Sequence, residues 1–182
     1  EPASDNELVS QQSFVTTTIG WLGAHDVVLP VLLDAADPKR DEIVRADAIR
    51  SLALIAGRAD EAGSRLNAPE LTDSLIRYSQ DPSPLTRQLC AFTLGLIEGS
   101  GVEQRLRVMT EDDDDNTQVN AAIALTRRGS TEGLPVFRRV LNEASVSVDP
   151  RTMDGKTEIE RQAQAEKKDA MNAVALVNVL KA

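Results

Sequence analysis

Residues 44–57 read VRADAIRSLALIAG, and this stretch decides the fold. It places the small residue Ala48 four positions before the large aliphatic Leu52, and a second small residue, Ser51, directly before it. Small residues at helical spacing allow two helices to approach closely, while the aliphatic side chain fills the seam between them. The stretch therefore predicts an α-helix that packs along its length against another helix.

The same pattern recurs along the chain, with its large aliphatic residue at Ile19, Leu52, Leu94, Leu125 and Val174. Successive positions are 33, 42, 31 and 49 residues apart. Repeats of about 30 to 47 residues built from helix pairs are typical of α-solenoids. We therefore predict an all-α fold, an α–α superhelix of about four helix pairs with an extra N-terminal helix.

The segments between these stretches supply the first helix of each pair, and Pro, Gly and Asp separate them. These first helices are predicted at residues 26–36, 69–79, 102–111 and 134–144. The whole chain, 1–182, is expected to form a single domain in which residues 1–6 are disordered. Residues 145–157 lengthen the last repeat, and we expect either a loop or a short β-hairpin there.

The pattern of the second helices resembles that of HEAT repeats, most closely the short bacterial type related to phycobilisome-lyase repeats. In that type the second helix reads roughly V-R-x-x-A-x-x-A-L-G-x-I-G. Val44-Arg45, Ala48 and Leu52 match this pattern, as do Arg87 and Leu94-Gly95. The resemblance covers nearly the whole chain and implies a stack of antiparallel helix pairs whose second helices line a concave face.

Composition excludes several classes of protein. The net charge is −9, with 29 acidic and 20 basic side chains, one cysteine and five aromatic residues. A single cysteine excludes a disulfide-stapled scaffold, and no apolar run approaches the ~18 to 20 residues of a membrane span. An acidic chain with few aromatics also argues against nucleic-acid binding, which needs a positive face with stacking platforms.

The sequence shows no arrangement that supports catalysis. His25 is the single histidine and lies in a predicted interhelical turn, and Cys90 occupies a small-residue position of the repeat, where a packed thiol is expected. No Ser/His/Asp set and no Gly-rich phosphate loop is present. We therefore expect a protein that is not an enzyme, with no catalytic residue, no cofactor and no metal ligand.

The acidic run Glu111–Asn116 admits two interpretations. Alternating Asp112, Asp114 and Asn116 resemble the start of a calcium loop, but the expected Gly is absent and Ile123 stands where the closing Glu belongs. The other interpretation is a solvated turn whose acids favour the N-terminus of the next helix.

A basic stripe is the candidate binding feature. The second position of the repeat is Gln12, Arg45, Arg87, Gln118 and Lys167 in turn. If these side chains line the concave face together with Arg127, they suit an anionic protein or peptide partner. The alternative is that each bonds a neighbouring repeat. The candidate partner-binding residues are Arg45, Arg87, Gln118, Lys167 and Arg127.

The function predicted from these observations is a non-enzymatic protein- or peptide-binding scaffold. The alternative is a chaperone- or lyase-like accessory protein that acts on a cofactor-bearing partner, which a deep pocket lined by Cys90 or by paired carboxylates would favour. Uncapped solenoid ends also predict a homo-oligomer. The chain begins at Glu1 and not at methionine, so we expect a processed or trimmed chain. This start is compatible with a signal peptide or anchor removed upstream, and the compartment stays open.

Overall fold

The structure is a computed structural model that describes residues 5–22, 25–144 and 157–168. The helices are α1 (Asp5–Leu22), α2 (His25–Ala35), α3 (Glu42–Glu61), α4 (Pro69–Tyr78), α5 (Pro84–Leu94), α6 (Val102–Met109), α7 (Asp115–Arg127) and α8 (Leu134–Ala144). Residues 158–168 form a further helix, α9. Two short strands, β1 (Leu66–Asn67) and β2 (Ile97–Glu98), complete the described elements.

The helices form two layers. In the inner layer α1, α3, α5 and α7 pack on one another in succession. In the outer layer α2, α4 and α6 each pack against the inner helix that follows them, and α8 packs against α7. The predicted fold class, an all-α superhelix of helix pairs with an extra N-terminal helix, is confirmed. Among the described helices, none is long and apolar enough to cross a membrane.

The repeated aliphatic residues form the main core. Leu52, Leu94 and Leu125 are fully buried, and Ile19 packs against the same cluster. Val174 lies outside the described residues. A second, smaller apolar cluster lies between α7 and α8, and its buried members are Val119, Ala122, Val136, Phe137 and Val140. The pattern found in the sequence thus marks the side chains that hold one inner helix to the next.

Two glycines allow the inner helices to approach closely. A Cβ added to Gly95, at the end of α5, would lie 2.7 Å from the Cβ of Ala124 in α7. A Cβ added to Gly20 in α1 would lie 2.6 Å from the Cβ of Ser51 in α3. Real Cβ contacts are longer than this, so the backbone distance between these helices requires glycine.

The long second repeat contains a feature that the sequence did not predict. After α3 the chain turns at Gly63, where φ is +72°, and enters β1. This strand pairs in parallel with β2, so that Leu66 is opposite Ile97 and Asn67 is opposite Glu98. Two-residue strands are too short to show an alternating pattern of polar and apolar residues.

Two expectations concern the N-terminal end and the insertion. Helix α1 begins at Asp5, within the segment 1–6 for which disorder was expected, and residues 1–4 lie outside the described part. The expected loop or hairpin at 145–157 also lies outside it, except for residue 157. Both expectations stay predictions.

Leu94→Ala tests the assignment of the core. Truncating this fully buried side chain should lower the free energy of unfolding by about 2 to 5 kcal/mol, since it leaves a cavity between repeats. Urea denaturation followed by circular dichroism measures the change. Val108→Ala, at a residue 56% exposed on α6, is the control and should shift it by less than about 0.5 kcal/mol. An unchanged midpoint for Leu94→Ala would contradict the assignment.

Gly95→Ala and Gly57→Ala should have opposite effects on thermal stability. The backbone of Gly95 (φ −68°, ψ −20°) accepts alanine, so its cost of about 1 to 3 kcal/mol comes from the contact with Ala124. At Gly57, inside α3, the nearest atom to a new Cβ is Leu96 Cδ1 at 3.9 Å. Alanine should therefore stabilise the helix there by about 0.5 to 1 kcal/mol. Equal shifts in melting temperature would show that close packing at Gly95 is unimportant.

Candidate functional site

The three turns that the structure describes between an outer helix and the next inner helix share one local structure. In each, an aspartate carboxylate accepts a hydrogen bond from the backbone N–H two residues later. The three pairs are Asp37 with Lys39 at 3.0 Å, Asp81 with Ser83 at 2.9 Å, and Asp112 with Asp114 at 3.0 Å. The carboxylates are thereby fixed at equivalent places in successive repeats.

Arg45 uses its guanidinium to join two repeats. Its Nη2 donates to Oδ1 of Asp81 at 2.9 Å, and its Nη1 donates to the carbonyl oxygen of Arg40 at 2.7 Å. Both side chains of the ion pair are almost completely buried. Helix α3 is thus tied to the turn that precedes α5.

Arg87 makes the equivalent bond one repeat later. Its Nε and Nη2 donate to the carboxylate of Asp112 at 2.8–3.1 Å, and its Nη1 donates to the carbonyl oxygens of Asp81 and Pro82. The hydrogen bond to Asp112 raises the pKa of Arg87. Burial by itself would raise the pKa of Asp112, but the hydrogen bonds from Arg87 and from the Asp114 backbone outweigh it, and the pKa of Asp112 is lowered.

Gln118 replaces arginine in the third repeat. Its Nε2 donates to the carbonyl oxygen of Asp112, and its Oε1 accepts from Nη2 of Arg139 in α8 at 2.6 Å. The fourth predicted residue, Lys167, is exposed on α9. We refer to Arg45–Asp81 and Arg87–Asp112 as the Arg–Asp ladder, which ends where the neutral Gln118 takes the place of arginine.

The contacts of Arg45, Arg87 and Gln118 are therefore those of the alternative interpretation, in which these residues bond neighbouring repeats. Their side chains leave little surface for a partner, and a partner-binding role for them stays a prediction. Arg127, the fifth candidate, lies elsewhere, at a groove described below.

The aspartates of the acidic run Glu111–Asn116 form ion pairs with arginines or cap a helix. Asp112 and Asp113 contact Arg87, and Asp115 pairs with Arg139 at 3.1 Å. Asp114 caps α7 by accepting from the backbone N–H of Thr117 at 2.7 Å. The expected role at the helix N-terminus is seen, and ion pairs with distant arginines add to it. Within the described residues, no group of three or more possible metal ligands is found.

Cys90 is completely buried in the main core. Burial raises the pKa of its thiol, and the nearby charge of Asp81 adds to this effect. A thiol held protonated is a poor nucleophile. His25, the single histidine, is the first residue of α2.

A groove runs across the face of the inner helices that points away from the outer layer. Its volume is about 500 Å³. We call it the inner groove, and it is lined by Trp21, Arg50, Ala53, Leu54, Gly57, Arg58, Asp60, Glu61, Leu89, Phe92, Leu96 and Arg127. Residues from α1, α3, α5 and α7 thus meet at one surface.

Two aromatic side chains dominate this surface. Phe92 is 42% exposed and lies beside the half-buried Leu54 and Leu89. Trp21 is 65% exposed, and the guanidinium carbon of Arg58 lies 4.9 Å from the centre of its ring. Such a cation–π contact orients both groups at the rim of the groove.

The inner groove carries charges of both signs. Arg50, Arg58 and Arg127 are positive, and Asp60 and Glu61 are negative. Nη2 of Arg127 lies 3.9 Å from Oδ2 of Asp60, whose other oxygen accepts a bond of 2.6 Å from Nε of Arg65.

The sequence analysis selected Arg127 but missed both aromatics. An exposed aromatic on a helix has the same sequence signal as a buried one. Comparison of the repeats does mark Phe92. The position two residues before the repeated aliphatic residue holds Thr17, Arg50 and Ile123 in the other described repeats, and Phe92 is the one aromatic residue among these four.

Comparison with known proteins identifies the repeat. Residues 68–149, which begin at α4 and include α8, match the family model described as HEAT repeats. This part of the chain, a little under half of it, is similar to HEAT repeats. The match does not specify the phycobilisome-lyase type, which stays a prediction, and none of the curated proteins matches the chain.

HEAT repeats generally mediate protein interactions, and the family is generally non-catalytic. The inner groove lies on the inner helices and extends from α7 to α1, beyond the residues that match the HEAT model. It is therefore the candidate interaction surface of this chain.

The Arg87–Asp112 bond makes stability depend on pH. Because the pKa of Asp112 is lowered in the folded state, the unfolded chain binds the proton first on acidification. The bond therefore stabilises the fold above the ordinary aspartate pKa of about 4, and this stabilisation is lost as the pH falls through the lowered value. Asp112→Asn should unfold more easily at pH 7 and lose less stability on acidification from about pH 5 to 3 than the unmodified protein.

Denaturant titrations at several pH values measure both effects. Asp73→Asn, on the exposed side of α4, controls for the loss of one negative charge. If Asp112→Asn and Asp73→Asn follow the same pH profile, the bond contributes nothing to the acid sensitivity.

Proposed function

We propose that this chain is a non-enzymatic scaffold that binds a protein or peptide segment in the inner groove. The observation that carries the proposal is the exposed Phe92, on an apolar floor between arginines contributed by α3 and α7. Aromatic and arginine side chains supply most of the binding energy in protein interfaces. The inner groove holds both types on one concave surface made by successive repeats.

The partner segment is proposed to carry an apolar side chain flanked by acidic residues. The apolar side chain packs on Phe92, Leu54 and Leu89, where burial from water favours binding. The acidic residues face Arg127 and Arg50, which are both exposed, and they compete with Asp47 for the guanidinium of Arg50. The chain as a whole is acidic, so local charge and not net charge attracts such a segment.

Asp60 and Glu61 make the charge of the inner groove differ from one end to the other. They lie near the C-terminal end of α3, while Arg50 lies in its middle. Asp60 is paired with Arg65 and Arg127, so it is the exposed Glu61 that repels an acidic residue of the partner, whereas Arg50 attracts it. A segment with its acids on one side of the apolar residue is therefore oriented by the groove.

The alternative function, an accessory protein acting on a cofactor-bearing partner, called for a deep pocket lined by Cys90 or by paired carboxylates. Cys90 is completely buried between repeats and has no access to a partner. The scaffold is therefore the function that we propose.

Peptides selected from a random display library against the immobilised protein test the proposal. Their affinities are then measured for the unmodified protein and for Phe92→Ala, Arg127→Ala and the outer-layer control Val108→Ala. We expect Phe92→Ala to weaken binding about tenfold or more, since truncating a central aromatic removes a dominant contact. Arg127→Ala should weaken binding of acidic peptides and reduce its dependence on salt.

Val108→Ala should leave the affinities unchanged, because Val108 lies on α6 in the outer layer. Circular dichroism and melting temperature confirm that each variant is folded. If the selected peptides bind Phe92→Ala and Arg127→Ala as tightly as the unmodified protein, the inner groove is not the binding surface.

A further inference from the structure

Three of the five aromatic residues of the chain are exposed, and all three lie on inner helices. Phe14 and Trp21 of α1 are 72% and 65% exposed, and Phe92 of α5 is 42% exposed. The other two, Tyr78 and Phe137, are buried on helices of the outer layer. Exposed aromatic side chains gathered on one side of a protein are typical of an interaction surface.

A row of equivalent positions crosses the inner groove from helix to helix. Two residues after the repeated aliphatic residue, the inner helices carry in turn Trp21, Leu54, Leu96 and Arg127, and all four line the inner groove. On α5 this position is buried, and the exposed Phe92 lies one turn before it in the same groove. We call Trp21, Leu54, Phe92 and Arg127 the transverse row, since it runs across the inner helices and not along any one of them.

The spacing of the transverse row follows from the packing of the inner helices, whose axes lie about 8 to 10 Å apart in such contacts. A polyproline II segment has three residues per turn and rises about 3.1 Å per residue, so every third side chain repeats at about 9 Å. Residues on one side of a β-strand repeat at about 7 Å, and one turn of an α-helix rises about 5.4 Å. Of these three conformations, only polyproline II presents one side chain to each inner helix in turn.

Trp21 suits such a segment at one end of the transverse row. Its ring is oriented by the guanidinium of Arg58, and most of the residue stays exposed. Among the described residues, its indole N–H donates no hydrogen bond. A polyproline II segment makes no internal hydrogen bonds, so its carbonyl oxygens can accept from this donor while a proline ring packs on the indole.

Arg127 gives the other end of the transverse row a positive charge. Its Nη2 lies 3.9 Å from Oδ2 of Asp60, which is longer than a hydrogen bond, and its side chain is 40% exposed. The guanidinium therefore keeps donors for a carboxylate of the partner. An acidic residue is thus matched to this end of the row, beyond the residue that packs on Phe92.

We propose that the partner of the inner groove is a proline-rich segment that lies along the transverse row in the polyproline II conformation, with an acidic residue at the end that reaches Arg127. The proposal rests on the function proposed above, since it names the kind of segment that the inner groove binds. Proline at every third position contacts Trp21, Leu54 and Phe92 in turn. Because proline holds the free segment close to this conformation, binding costs little conformational entropy.

Two synthetic peptides of equal composition test the proposal. The first has proline at every third position and a glutamate three residues after the last proline, with serine elsewhere. The second has the same residues with proline at every second position. Trp21 is the single tryptophan of the chain, so a change in its fluorescence measures binding and places the peptide at α1. We expect the first peptide to bind about fivefold more tightly than the second, or better.

The two exposed aromatics of α1 distinguish a segment that crosses this helix from one that runs along it. Trp21→Ala should weaken binding of the first peptide about tenfold or more. Phe14→Ala should leave the affinity unchanged, because Phe14 lies two turns, or about 10 Å, before Trp21 on the same face. Anisotropy of a labelled peptide measures both variants, and their melting temperatures confirm that they are folded.

Arg127→Ala tests which end of the row receives the acidic residue. The unmodified protein should prefer the first peptide over a form with glutamine in place of glutamate. The Arg127→Ala protein should bind both forms equally, since the partner of the carboxylate is gone. A preference for glutamate that survives in Arg127→Ala would overturn the proposed direction of the segment.

Failure of this proposal is distinguishable from failure of the proposed function. If peptides from the display library depend on Phe92 but neither proline-rich peptide binds, the inner groove binds a segment of another kind and only the present proposal is overturned. Equal affinities for the two proline-rich peptides, or equal weakening by Phe14→Ala and Trp21→Ala, overturn it as well. If no peptide of either kind depends on Phe92, both proposals fail.

Discussion

The stack depends on the close approach of each inner helix to the next. At Gly20 and Gly95 the neighbouring backbone is so near that a methyl group does not fit, and the aliphatic residue before each glycine fills the seam. This packing places the helices in register, and the Arg–Asp ladder then joins the same positions of successive repeats. Because every repeat is held by its neighbours, surfaces that cross several helices, such as the inner groove, exist only in the assembled stack.

The sequence predicted most of the fold because repeated packing requires repeated residue types. The buried Leu52, Leu94 and Leu125 were identified from their spacing alone, and the expected first helices agree with α2, α4, α6 and α8 within a few residues at each end. The parallel pairing of β1 with β2 was missed, since it depends on a contact between residues about thirty positions apart. No local pattern records such a contact.

The site was harder to predict, for a physical reason. Arg45 and Arg87 were predicted to form part of a positive stripe that binds an anionic partner. Their charges are instead neutralised by aspartates that lie 36 and 25 residues away in the chain. The composition of a helix shows which charges are present and not which are paired. Arg127, at the inner groove, was selected, whereas Phe92 needed the repeats to be compared position by position. In a solenoid, departure from the repeat is a better guide to function than the repeat itself.

The two apolar clusters share one helix, and this has a mechanical consequence. Ala121 and Leu125 of α7 belong to the main core, whereas Val119 and Ala122 of the same helix belong to the smaller cluster with α8. The Arg–Asp ladder also ends at α7, where Gln118 replaces arginine. Among the described helices, α8 packs chiefly on α7, so a load applied to α8 passes mainly through that helix before it reaches the rest of the stack. Local unfolding of α8 should therefore leave the repeats that form the inner groove folded.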